Sequence, residues 1–186
     1  RKEFAGAGTQ TAALAFGGQT SPKGQTEKYN GSTWTEVNDL VNPRGDLAGA
    51  GTQTSALAAG GTNAAETTES WNGTNWTEGT DMNLNRILLA AAGASNTAVL
   101  VFGGQNQNNP VGAKSTLTEL WNGSNWTEVA DLNVARMQLA GCGISTAALA
   151  FGGDASPEAV TELWNGSSWS SVNVLNTGRQ RLGAAG

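Results

Sequence analysis

The sequence predicts an all-β chain made of four copies of one four-stranded antiparallel unit. Three observations carry that reading. An Arg closes each copy, at Arg1, Arg44, Arg86, Arg136 and Arg179, so the chain repeats at intervals of 43, 42, 50 and 43 residues, and periods of about 20 to 50 residues mark architectures of stacked units. Within a copy the apolar residues alternate with period two between clusters of turn residues, as strands require. No segment places apolar residues at helical spacing between caps.

Each copy is written in the same order. A Gly pair closes an apolar run at Gly17-Gly18, Gly60-Gly61, Gly103-Gly104 and Gly152-Gly153. An aromatic residue and an Asn-Gly turn follow at Tyr29-Asn30-Gly31, Trp71-Asn72-Gly73, Trp121-Asn122-Gly123 and Trp164-Asn165-Gly166. A second Trp comes five positions after each aromatic, at Trp34, Trp76, Trp126 and Trp169. The units are therefore about 1–43, 44–85, 86–135 and 136–178, with 179–186 starting a fifth. The third is longest and takes its extra residues mainly between Gly104 and Leu117.

In the second unit the expected strands are Leu47–Gly51, Ser55–Ala59, Thr67–Trp71 and Trp76–Asp81. The last two are joined by Asn72-Gly73, the strongest short hairpin signal, because a type I′ turn needs positive φ at both central residues. Such a two-residue turn sets Trp71 opposite Thr74 and Glu69 opposite Trp76, and sends all four side chains to one side. Four short antiparallel strands per 40 to 50 residues make one blade of a β-propeller. The Trp pairs are then packing between blades, each burying roughly 150 to 250 Å². The innermost strands, such as Ala48-Gly49-Ala50-Gly51 and Ala140-Gly141-Cys142-Gly143, consist of small residues because strands near a propeller axis are crowded. Cys142 aligns with Ala7, Ala50 and Ala92 and reads as a small buried filler rather than a reactive thiol.

The order of apolar run, Gly-Gly, variable loop, aromatic, turn, Trp, acidic-hydrophobic stretch and Arg resembles the kelch repeat over essentially the whole chain. The aromatics stand closer together here than in kelch repeats, which the short Asn-Gly turn explains. A looser likeness, in composition, is to kelch-like repeat proteins of marine phages and bacteria. The resemblance implies a propeller of the galactose oxidase type in fold, and either a recognition module or the propeller portion of a carbohydrate-active or copper oxidase enzyme.

Composition bears on that choice. Of 186 residues only 13% are charged, the net charge is −5, and there is one Cys and no His. Without His, the usual base near neutral pH and the commonest metal ligand are missing. No catalytic residue, metal ligand or cofactor is therefore assigned. A copper oxidase of this family implies His and Tyr ligands, yet Tyr29 fills the repeat's structural aromatic slot; on the enzyme reading the catalytic residues lie outside this chain. Ten thinly spread basic residues leave no footprint for nucleic acid. The longest apolar stretch, Ile87 to Ala92, is too short for membrane insertion as a helix. No leader pattern follows Arg1, so the chain is expected to be a piece of something larger.

The recurring Glu27, Glu69, Glu119 and Glu162 read as structural partners for a neighbouring unit's terminal Arg, since a carboxylate partly enclosed by Trp needs a guanidinium or backbone donors. Function is then expected where the units differ, in the loops between second and third strands: Gln19 to Gln25, Thr62 to Glu66, Gln105 to Ser115 and Asp154 to Ala159. These emerge on one face together with the connections between units, and variable loops on a rigid scaffold are where binding concentrates. The candidate ligand-binding residues are Lys23, Gln105, Asn106, Gln107, Asn108, Asn109, Lys114 and Asp154; the amides of Gln105 to Asn109 suit hydroxyl groups. The expected function is non-catalytic recognition of a protein or glycan, or a structural role, in a propeller displayed on an extracellular, virion or cell surface. Five candidate inner strands, Phe4 to Gly8, Leu47 to Gly51, Leu89 to Gly93, Leu139 to Gly143 and Leu182 to Gly186, compete for four places. The four units are accordingly expected to belong to a larger ring, through further blades or another copy.

Overall fold

The computed structural model describes residues 1–19, 24–108, 112–155 and 157–184. The first unit contributes β1 (Ala5–Thr9), β2 (Ala12–Phe16), β3 (Thr26–Tyr29) and β4 (Trp34–Val37), and the second β5 (Ala48–Thr52), β6 (Ser55–Ala59), β7 (Thr68–Trp71) and β8 (Trp76–Glu78). The third holds β9 (Arg86–Ile87), β10 (Ala90–Ser95), β11 (Ala98–Phe102), β12 (Gln105–Asn106), β13 (Thr118–Trp121) and β14 (Trp126–Val129). The fourth holds β15 (Ala140–Ile144), β16 (Ala147–Phe151), β17 (Thr161–Trp164) and β18 (Trp169–Ser171). Each unit is one four-stranded antiparallel sheet in simple sequence order, and β9 and β12 pair as a two-stranded ribbon beside the third. All described regular structure is β.

The hairpin between third and fourth strands differs from the sequence expectation. Trp71 lies directly opposite Trp76 and Glu69 opposite Glu78, so the turn holds four residues, Asn72 to Asn75, rather than two. The cause is local: the Asn72 side-chain oxygen accepts hydrogen bonds from the backbone N–H groups of Thr74 and Asn75, both at 2.9 Å. An Asn side chain that caps its own loop in this way competes with the tight turn. Gly73 has φ 96° while Asn72 keeps negative φ, which excludes type I′. The two indoles still share one side of the hairpin, with centroids 5.3 Å apart. The other Trp pairs repeat this at 5.2 and 5.4 Å.

Each sheet buries one face against the next. Leu14 and Phe16 of the first unit pack with Ala56, Ala58, Trp71 and Trp76 of the second. Leu57 and Ala59 of the second pack with Val99, Val101, Trp121 and Trp126 of the third. Leu100 and Phe102 of the third pack with Ala148, Ala150, Trp164 and Trp169 of the fourth. One interface chemistry is thus used three times, so the hydrophobic core is three slabs between four sheets.

The innermost strands pack side by side in the order β1, β5, β10, β15, and no comparable packing joins β15 to β1. Small residues make this approach feasible. A Cβ on Gly49 would stand 2.5 Å from Cζ of Phe16, and one on Gly141 would stand 2.4 Å from Cζ of Phe102. The inner strands line a cavity of about 580 Å³. Cys142 lines it half-buried, in contrast to the buried filler its alignment suggested, because this slot opens toward the cavity in the end units, as Ala7 of the first unit also does. Leu182 to Ala184 form no strand, and Ala185 and Gly186 lie outside the described residues.

Candidate functional site

The ends of the units that carry the variable loops are tied together by a second repeated device. Arg44, Arg86 and Arg136 are fully buried, and each pairs with the Glu of the sheet that follows it in sequence: Arg44 with Glu69, Arg86 with Glu119 at 2.7 Å, and Arg136 with Glu162 at 3.1 Å. Arg1 pairs likewise with Glu27, in a more exposed setting. The carboxylates also accept backbone N–H donors from the connection between units, for example Asn83 to Glu119 at 2.8 Å and Asn133 to Glu162 at 2.7 Å. Burial pushes the three enclosed guanidinium groups below their ordinary pKa, opposed by the paired glutamate. These Glu and Arg side chains are spent on holding neighbouring units in register.

Two residues past each Arg the backbone turns into the left-handed region, at Glu3, Asp46, Leu88, Gln138 and Arg181, with φ between 54° and 58°. A chain of backbone hydrogen bonds links them. Asp46 N–H donates to Glu3 carbonyl oxygen, Leu88 to Asp46, Gln138 to Leu88 and Arg181 to Gln138, each at 2.9 Å. Together with the Leu or Phe that follows each of them, these residues enclose a pocket of about 260 Å³. Its rim therefore mixes acid, amide, apolar and basic side chains over an apolar floor. Asp46 accepts a hydrogen bond from the Gln19 side chain at 2.6 Å, and partial burial raises its carboxyl pKa.

The variable loops stand beside this pocket. In the third unit Gln105 and Asn106 form β12, the Gln105 side chain donates to the Gly112 carbonyl at 3.3 Å, and Gln107 N–H donates to the Asn85 carbonyl at 2.9 Å. The Asn106 side-chain oxygen accepts from Asn108 N–H at 2.7 Å. Lys114 reaches across to the fourth unit and pairs with Asp154 at 2.8 Å, while Asp154 N–H donates to the Met137 carbonyl at 2.8 Å. Of the residues expected to bind ligand, Gln105, Asn106, Gln107, Asn108, Lys114 and Asp154 are thus brought onto one surface spanning two units. Part of their amide capacity goes into shaping the loop itself. Asn108 is exposed; Lys23 and Asn109 lie outside the described residues.

The sequence reading missed the pocket of left-handed residues. Its signal is visible in hindsight: position Arg+2 varies among Glu, Asp, Leu, Gln and Arg, while the residue after it is always Leu or Phe. It also missed the partner of the second Trp in each unit. Trp76, Trp126 and Trp169 donate their indole N–H to the hydroxyls of Thr26, Thr68 and Thr118 of the preceding unit, at 2.9, 2.9 and 3.1 Å. The Thr-Glu pair that recurs at Thr26-Glu27, Thr68-Glu69, Thr118-Glu119 and Thr161-Glu162 is the trace of that contact. Among the described residues no group of three or more Cys, Asp or Glu side chains is placed to hold a metal ion, and no helix is long and apolar enough to cross a membrane. No family model and no curated protein sequence matches this chain.

Proposed function

We propose that the chain is a non-catalytic recognition module built of kelch-like blades in a β-propeller arrangement, which binds a protein or glycan through its loop face at an extracellular, virion or cell surface. One observation carries the reading. The four sheets repeat one another residue for residue in register and interface chemistry, whereas the residues that differ from unit to unit, the loops around Gln105–Asn108, Lys114 and Asp154 and the rim at Glu3, Asp46, Gln138 and Arg181, gather at one end. A constant scaffold with its variation collected on one face is the arrangement of a binding surface. Arg–Glu and Trp–Thr contacts account for most of the buried polar side chains, which supports a structural use for them.

The test is to probe immobilised glycans and purified candidate proteins with the intact chain, then map hydrogen-exchange protection in the complex. Protection confined to Gln105–Asn108, Lys114, Asp154 and the Asp46 rim supports the reading. Protection confined to the inner strands around Gly6 and Cys142 would move the site to the cavity between them and overturn it.

A further inference from the structure

Three sheet-to-sheet interfaces are complete, and the two faces of a fourth are left uncovered at opposite ends of the series. At one end, the fourth sheet leaves Leu149 and Phe151 only partly buried, where the equivalent Leu14, Phe16, Leu100 and Phe102 are at most 1% exposed. Its Thr161 hydroxyl is buried and has no hydrogen-bond partner among the described residues, although each equivalent threonine receives an indole N–H. At the other end, the first sheet presents Trp34 half-exposed, with no hydrogen bond to its indole among the described residues, beside Tyr29 at 5.1 Å. The second-Trp slots at Trp76, Trp126 and Trp169 are at most 7% exposed. What each end lacks is what the other supplies.

The charges follow the same pattern. Arg179 is exposed and forms no ion pair among the described residues, unlike the buried Arg44, Arg86 and Arg136. Glu27, the matching carboxylate, is held by Arg1 in the most exposed of the repeat's Arg–Glu pairs. Among the described residues, β15 and β1 do not pack against each other as the other neighbouring inner strands do.

We propose that the chain associates head to tail with a second copy of itself, the first sheet of one copy seated on the fourth sheet of the other. Trp34 then donates to the Thr161 hydroxyl and packs on Phe151, as Trp76 does on Phe16 at 4.8 Å and Trp169 on Phe102 at 4.9 Å. Arg179 takes the place of Arg1 on Glu27. Residues 182–184, which form no strand, yield their position to the partner's β1. The contact is heterologous, so it has two different faces.

Sedimentation equilibrium of the chain and its variants tests this. The wild type is expected to associate with concentration, and Trp34→Ala to weaken association at least about tenfold, as loss of a central aromatic anchor does. Thr161→Val is expected to weaken it by roughly threefold or more without lowering the melting temperature. The decisive arm is complementation. Trp34→Ala keeps an intact fourth-sheet face and Phe151→Arg an intact first-sheet face, so each alone stays monomeric and an equimolar mixture forms heterodimers. If Phe151→Arg fails to fold, Leu149→Arg on the same partly exposed face takes its place in the mixture. A wild type that is monomeric up to the order of 100 µM, a Phe151→Arg variant that associates like the wild type, or a mixture that stays monomeric would each overturn the proposal.

Discussion

Trp126 reaches across from the third sheet to give its indole N–H to the Thr68 hydroxyl of the second, 2.9 Å away and fully enclosed. The contact joins residues 58 positions apart in sequence and recurs at each of the three complete interfaces. It converts an otherwise oily surface into one with a fixed register, because a buried indole that misses its acceptor is costly.

Thr68→Val removes that acceptor and leaves the indole N–H buried without a partner, at a cost of about 1–3 kcal/mol. Thr161→Val, measured in the monomeric Phe151→Arg background, is the matched control: its hydroxyl is buried and has no partner among the described residues, so its replacement there is expected to be neutral or mildly stabilising. Urea unfolding of the two variants side by side checks the contrast. Equal losses would show that the hydroxyls do not act through the indoles.

Trp121 is 2% exposed and also donates to the Asn96 carbonyl at 2.8 Å. Trp121→Ala should therefore destabilise by about 3–5 kcal/mol, as aromatic truncations in cores do. A variant with unchanged melting temperature but lost ligand binding would make these indoles a binding platform instead of a core.

Arg86→Met strands the buried Glu119 carboxylate and is expected to cost about 3–5 kcal/mol. Adding Glu119→Leu should recover part of this, because the uncompensated charge is gone, while the Asn83 groups that Glu119 accepts from keep the recovery incomplete. Denaturant midpoints of both variants give the answer. No recovery in the double variant would mean that the pair acts by shape and not by charge.

Gly49→Ala drives a Cβ toward Phe16 and Ala5 and should cost about 1–3 kcal/mol through overpacking. Gly183→Ala, where a Cβ meets nothing within 4 Å, should stay within about 0.5 kcal/mol. Thermal unfolding separates the two, and equal effects would argue against close approach of the inner strands.

Burial raises the Asp46 carboxyl pKa in the folded chain above its unfolded value. The native state then binds the more protons, so this group's contribution is full below about pH 4 and is lost as pH rises through its folded pKa. Asp46→Asn, which tolerates the left-handed backbone there, is expected to gain stability relative to wild type as pH rises from 4 to 7. A difference that does not vary with pH would place the carboxylate's effect elsewhere.

The sheets were legible because repetition did the work of an alignment. Apolar alternation placed Ser55–Ala59 within its strand, and the recurrence of Glu69 with Arg44 pointed to a paired structural role. The hairpin register was not legible, because Asn-Gly is compatible with both a two-residue turn and a loop capped by the Asn side chain, and sequence pattern alone does not show that Asn72 caps Thr74 and Asn75. Cys142 was misplaced because alignment assigns one environment to a whole slot, whereas Ala7 and Cys142 of the end units are more open to the cavity than Ala50 and Ala92 of the inner ones. The candidate loop was located by its difference from the other units. The hydrogen bonds that occupy Gln105 and Asn106 depend on backbone positions that composition does not reveal.

The most direct measurement of this arrangement is the hydrogen-exchange rate of the seven indole N–H signals in the monomeric Phe151→Arg chain. Six indoles donate inside the molecule, Trp71, Trp121 and Trp164 to carbonyls of Gln53, Asn96 and Ser145 and Trp76, Trp126 and Trp169 to threonines. An open series of interlocked sheets predicts six slowly exchanging signals and one fast signal that disappears in Trp34→Phe. Seven protected signals, or fast exchange at Trp76, Trp126 or Trp169, would contradict it.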